Sequence, residues 1–235
     1  MNPYNPYAPN LSGAQTATDS NAFLRKVYAF MAAGLFATAV TATIVASSET
    51  LVRAILGNQI VFYGLIIGEL GMVIAFSALA RRLSTPAAAA LFFAYAIMNG
   101  LTLSVIFLAY TASSIGSTFF VSAGSFGALS AYGYATKRDL SGLGSFAFMG
   151  LIGLIIASVV NIFLHSPMIY WLTTFVGVIV FTALTAYDTQ KLKRYGASIT
   201  NPQDQTKIAM QGALTLYLDF INLFLYMLRL LGRRR

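Results

Sequence analysis

The sequence predicts an all-α integral membrane protein, a bundle of seven transmembrane helices, on three observations. Of its residues 57% are hydrophobic and 9% are charged, against roughly 25% charged in an ordinary soluble domain. That apolar surplus has no place to go except lipid. Seven apolar segments follow a polar start, near residues 27–46, 60–80, 86–109, 117–136, 144–165, 168–190 and 207–231, each close to the ~20 residues that cross a bilayer as a helix. Clusters of basic residues alternate with these segments, as topology-setting loops do. Lipid offers no partner to free backbone groups, so helices are the spanning form.

Residues 1–20 stand apart. They are polar and turn-rich, open on a repeated Asn-Pro-Tyr, and lack both a basic start and a short apolar core. They read as a disordered tail and not as a signal peptide. Residues 21–235 then suffice for one compact transmembrane domain. Segment 1 carries Ala32, Ala33 and Gly34, segment 3 opens on Ala87 to Ala90, and segment 5 holds Gly144 and Gly150; such small residues let helices approach closely. Short connections favour antiparallel neighbours. His165, two residues before Pro167, reads as a loop residue between segments 5 and 6. The stretch from Lys191 to Thr206 reads as a cationic hairpin that sets segments 6 and 7 side by side.

A net charge of +8 could suggest nucleic acid, but the cations are not arranged that way. Arg25 and Lys26, Arg81 and Arg82, Lys137 and Arg138, and Lys191, Lys193 and Arg194 each flank an apolar run. The entrance to segment 1 and the 2–3, 4–5 and 6–7 loops, with Lys207 at the first position of segment 7, hold ten of the fifteen Lys and Arg, whereas the 1–2, 3–4 and 5–6 loops hold only Arg53. That alternation places the N-terminus in the cytoplasm. A full seventh crossing would leave the terminal Gly-Arg-Arg-Arg outside. Either segment 7 is central and incompletely spanning, or these late charges do not control orientation.

Composition narrows the chemistry. There is no cysteine and a single histidine, so disulfides, thiolate metal sites and histidine clusters are out of reach. Tyr187-Asp188 resembles the first motif of an intramembrane aspartyl protease, but the second would be Gly-x-Gly-Asp and Leu216-Tyr217-Leu218-Asp219 stands there instead. His165 is poorly placed for a membrane serine protease, and no mid-helix lysine could hold retinal. No enzyme activity and no cofactor are expected.

Two aspartates, Asp188 and Asp219, lie inside long apolar stretches of a chain with only seven acidic residues. An acidic side chain at the centre of a membrane helix costs roughly 2.5–3.5 kcal/mol even on the lenient insertion scale. Asp219 belongs to a polar stripe: Gln211, Thr215, Asp219, Asn222, Tyr226 and Arg229 fall at spacings of three and four, which line one helix face. That face should look inward, onto a polar cavity. Left unpaired, Asp188, Asp219, Glu69 in segment 2 and Arg229 would together cost roughly 10 kcal/mol. They must be paired, protonated or wet. With segments 6 and 7 side by side, Asp188 and Asp219 become partners. Two carboxylates in one dry site cannot both ionise cheaply, so one is expected to hold a proton and the pair to titrate in coupled steps.

The run Ala186-Tyr187-Asp188-Thr189-Gln190-Lys191-Leu192-Lys193 resembles a signature of the Bax inhibitor-1 family. Leu216-Tyr217-Leu218-Asp219-Phe220-Ile221-Asn222-Leu223-Phe224 with Leu228-Arg229 resembles its final helix, and Lys137-Arg138-Asp139-Leu140-Ser141 also fits. The similarity spans about residues 20–232 and is greatest to the bacterial branch. It implies a seven-helix bundle with the last helix central, in the bacterial inner membrane. It further implies a pH-sensitive calcium leak gated by the pair Asp188 and Asp219. An arginine of segment 2 latches the pair in that family, for which Arg81 and Arg82 are the candidates, and Glu69 matches a glutamate that pairs with Arg229. On that footing the expected function is a proton-controlled cation leak, with calcium as the transported ion held by Asp188 and Asp219, since calcium prefers oxygen ligands. The alternative is a non-conducting regulator that binds other membrane proteins. Lipid is the expected partner in both cases, and nucleic acid in neither.

Overall fold

The computed structural model describes residues 11–79, 82–199 and 202–235, with side chains described from residue 20 onward, 202–204 excepted. The helices are α1 (Leu11–Ser47), α2 (Glu49–Ile55), α3 (Gln59–Leu79), α4 (Thr85–Leu103), α5 (Val105–Ala109), α6 (Ala112–Ala135), α7 (Ser141–Leu164), α8 (Pro167–Ser198) and α9 (Pro202–Leu231). Local sequence explains their starts. Ser84, Thr111 and Ser166 each accept a hydrogen bond from a backbone amide of the first turn, capping α4, α6 and α8, and Pro86 and Pro167 occupy first-turn positions where no amide partner is lost. His165 ends α7 with φ of 50°, a left-handed turn, which agrees with a loop position.

Among the described residues, six helices are long and apolar enough to cross a membrane: those within α1, α3, α4 with α5, α7, α8 and α9. The remaining expected span, 117–136, corresponds to α6. It is 24 residues long but is not apolar enough to count among the six. Its Ser114, Thr118, Ser122 and Ser130 are buried and face protein, so its polarity points inward.

Two boundaries differ from expectation. Helix α1 begins at Leu11, inside the stretch read as a disordered tail, of which residues 1–10 lie outside the described residues. Once nucleated, a helix extends at little cost per residue, and no proline follows Pro9 to stop it. The Lys191–Thr206 hairpin is also mostly helix: α8 runs on to Ser198 and α9 starts at Pro202.

Helix α9 packs against α1, α4, α6 and α8, and its Leu216, Tyr217, Leu223 and Leu228 are almost fully buried. The last helix is therefore central. It is one continuous helix from Pro202 to Leu231. Its tail meets the far end of the bundle, where the Arg233 carbonyl accepts from Thr111 at 3.2 Å and the Arg235 amide donates to Ala109 at 3.1 Å. By contrast α3 packs chiefly on α4, and α7 chiefly on α8. Two glycines let the helices around α8 close in. Gly133 of α6 lies on the Ala186 backbone, and a Cβ at Gly144 of α7 would fall 2.5 Å from the Tyr187 ring. Both contacts lie within two residues of Asp188.

Candidate functional site

Asp188 on α8 and Asp219 on α9 are 8% and 5% exposed. Their side chains lie within interaction range of one another, and two carboxyls so placed in a buried site hold a proton between them, since both cannot ionise cheaply. The second oxygen of Asp219, Oδ2, is buried without any hydrogen-bond partner. The helix holding Asp188 is braced on both sides. Thr189 donates to Ser130 Oγ at 3.4 Å and shares a 3.3 Å bond with Tyr28, while Thr185 donates to the Phe181 carbonyl.

One turn below, Gln190 clamps the α6–α7 connection. Its side-chain amide donates to the Arg138 carbonyl at 2.8 Å, and its oxygen accepts from Leu140 N at 3.0 Å and from Arg194 at 2.9 Å. Arg194 also pairs with Asp139 at 2.9 Å. The hydroxyl and amide of Ser141, then Arg194, hold the Asp139 carboxyl below the usual carboxylate range. The Lys137–Ser141 run thus has a mechanical role: it anchors the end of α8 nearest the pair.

Two cavities meet at the aspartates. A groove of about 980 Å³ runs between α7, α8 and α9, with Leu70 of α3 on its rim. A smaller cavity of about 180 Å³ lies toward Lys191 and Tyr195. Asp188, Lys191 and Thr215 line both. The predicted stripe lines these spaces in order: Gln211 the smaller, Thr215 both, and Asp219, Asn222 and Tyr226 the groove. Thr215 and Asn222 donate to the Gln211 and Leu218 carbonyls of their own helix. Arg229 leaves the pattern, because it is exposed and stands between the Tyr170 and Tyr226 rings at 5.7 and 5.2 Å.

The expected Glu69–Arg229 ion pair does not form. Glu69 accepts instead from Thr102 Oγ1 at 2.6 Å and Asn99 Nδ2 at 3.1 Å. The reason is topological: α3 packs chiefly on α4, and Arg229 sits at the end of α9. Of the latch candidates, Arg82 is exposed in the α3–α4 turn, and among the described residues no ion pair joins it to either aspartate; Arg81 lies outside the described residues. Lys191 is the cation beside Asp188, yet its ammonium stands 5.7 Å over the Tyr187 ring, and among the described residues no ion pair joins it to either aspartate.

A buried polar chain was missed in the sequence. Thr38 of α1 shares a 2.7 Å bond with Tyr217, Tyr217 donates to Asn99 Oδ1 at 2.9 Å, and Asn99 reaches Glu69. Asn99, an amide inside an apolar run, was the available signal. Tyr217 was hidden among aromatic residues that usually only pack.

Comparison with known proteins agrees with this architecture. The family model described as inhibitor of apoptosis-promoting Bax1 matches residues 20–235. The chain belongs to the Bax inhibitor-1 family. Within that family it is 50% identical over 215 residues to the inner membrane protein YbhL of Escherichia coli K12, covering 91% of this chain and 92% of the relative. A Borreliella burgdorferi protein is 44% identical over 219 residues, covering 92% and 93%. An uncharacterized membrane protein of Streptococcus pyogenes serotype M3 is 39% identical over 222 residues, covering 93% and 96%. The Bax inhibitor-1 match takes in every residue of the groove.

The chemistry open to the pair is limited and definite. A proton shared by two carboxyls leaves one negative charge; removing it leaves two, facing a cavity on either side. Calcium takes 6–8 oxygen ligands, and among the described residues no third acidic, histidine or cysteine side chain joins the two aspartates.

Proposed function

We propose that this Bax inhibitor-1 family protein is a multi-pass inner membrane protein, with its N-terminus in the cytoplasm, that lets calcium pass down its gradient under proton control. The observation that carries this is the buried pair Asp188–Asp219, with Asp188 lining both cavities and Asp219 the larger. With the proton in place the pair carries a single negative charge and holds a divalent cation poorly. Without it, two negative oxygen donors face each other across a dry junction, and a hard divalent cation relieves their repulsion. The inner membrane location is supported by the half-identical relative named as an inner membrane protein and by the six apolar helices.

The test is calcium flux into liposomes holding the purified protein, wild type against Asp219→Asn, across a pH series. The substitution should abolish the pH response and lower flux at least tenfold. Equal flux and equal pH response in the two proteins would overturn the assignment.

A further inference from the structure

The groove is larger and more apolar than passage of an ion requires. Its wall is supplied mainly by α7, through Phe148, Met149, Leu154 and Ile155 with Ser145 and Ser158 among them, and its charged groups lie on the floor, on α8 and α9. A volume of about 980 Å³ is comparable with pockets that take drug-sized ligands, roughly 300–1,000 Å³. Because α7 leans on α8 and α3 on α4, the groove is flanked by two helices that do not close over it. An entrant would arrive sideways, out of the bilayer.

The floor specifies what would enter. Asp219 is 5% exposed, lines the groove, and its Oδ2 has no partner. An orphaned buried acceptor costs about 1–3 kcal/mol, which an arriving donor recovers. Thr215 donates to the Gln211 carbonyl and one N–H of Asn222 to the Leu218 carbonyl, and no side-chain donor reaches Asp219 Oδ2. Lys191 stands over Tyr187. The proton-sharing pair carries one negative charge, which one monovalent cation balances. A metal ion would leave the apolar wall unused, and an acyl chain alone would leave Oδ2 unsatisfied.

We propose that the groove between α7, α8 and α9 is a binding site for an amphiphilic cation, its ammonium donating to Asp219 Oδ2 and its apolar body lying along α7. The site uses the same carboxylate pair as the flux reading and rests on that pair being buried and unsaturated, not on ions passing through it.

Dodecylamine and dodecan-1-ol have equal apolar bodies and differ in the ammonium. Saturable binding of each, with the full chain in nanodiscs of neutral lipid, tests the site. The amine should bind at least tenfold more tightly than the alcohol. The isosteric variant Asp188→Asn/Asp219→Asn should bring the two within twofold. Ile155→Trp, which fills the groove from a lipid-facing position and leaves the carboxyls intact, should weaken the amine at least fivefold. Equal binding of amine and alcohol to wild type overturns the proposal, as does the absence of saturable amine binding. Should the double variant fail to fold, Ile155→Trp decides: unchanged amine affinity overturns the site. Calcium flux on the same samples separates the two readings. No amine binding beside an Asp219-dependent flux refutes this inference alone, whereas amine binding without any flux refutes the leak alone.

Discussion

Replacing Asp219 with leucine should destabilise the bundle, replacing it with asparagine should not, and replacing both aspartates with leucine should recover most of the loss. The two carboxyls are 8% and 5% exposed and lie within interaction range of each other. Leucine at position 219 strips Asp188 of that partner and leaves a buried polar group unsatisfied, at about 1–3 kcal/mol on the soluble-protein scale. Polar contacts in membrane proteins are worth less, about 0.6 kcal/mol on average and up to about 1.7. A loss of about 1–2 kcal/mol follows, or about 2–8 °C in Tm for a chain of this size. Asparagine keeps the shape and donates its amide to the Asp188 carboxylate, so it should stay within about 0.5 kcal/mol. In the double variant Asp188→Leu/Asp219→Leu neither orphan exists, and the coupling between the sites should reach about 1 kcal/mol. Thermal unfolding in detergent can be followed through Trp171, the single tryptophan. The chain has no cysteine for thiol-reactive dyes. If the double loss equals the sum of the single losses within about 0.3–0.5 kcal/mol, the carboxyls do not interact and the central feature of the site is refuted.

Glu69→Leu should cost about 1–3 kcal/mol by orphaning Thr102 and Asn99, while Arg229→Ala is near-neutral. The double variant should be additive within about 0.3–0.5 kcal/mol; marked non-additivity in melting temperature would restore the ion pair. Gly144→Leu should lower Tm through overpacking by about 1–3 kcal/mol, because its Cβ meets the Tyr187 ring at 2.5 Å. Gly153→Leu in the same helix, with nothing within 4 Å, is the control, and equal melting of the two variants would contradict the packing. Asp139 has a folded pKa below its unfolded value. Its contribution is therefore complete above the unfolded pKa and is lost as pH falls through the lower folded one, leaving the Arg194–Asp139 clamp unaffected between about pH 5 and 8. A carboxyl NMR titration should place the midpoint below that of an unstructured peptide, and Arg194→Ala should raise it. A wild-type midpoint at or above the peptide's would contradict this.

The groove was legible in part because the signal was local. Gln211, Thr215, Asp219, Asn222 and Tyr226 recur at helical spacing, so any helix over them shares one polar face, and the structure lines the two cavities with them. Asp188 and Asp219 declared themselves through cost, since a buried carboxyl demands a partner and few partners were available. The clamp at Gln190 was less legible. It joins residues fifty positions apart in sequence, Leu140 N to Gln190 Oε1, and nothing at either position marks the other.

Class, helical content and the membrane habit follow from composition and periodicity, because burial of apolar surface and satisfaction of backbone groups leave a lipid-embedded chain few alternatives. Which charges meet does not follow. Glu69 and Arg229 are each anomalous in sequence, and pairing the anomalies was the economical guess. Instead α3 leans on α4, giving Glu69 the neutral donors Asn99 and Thr102, while Arg229 settles between Tyr170 and Tyr226. Helix α6 makes the same point: the sequence reads there as an apolar span, and packing turns its serines inward. Sequence sets the cost of burying a group. Only the arrangement of helices decides who meets that cost, because a partner is a matter of distance in space.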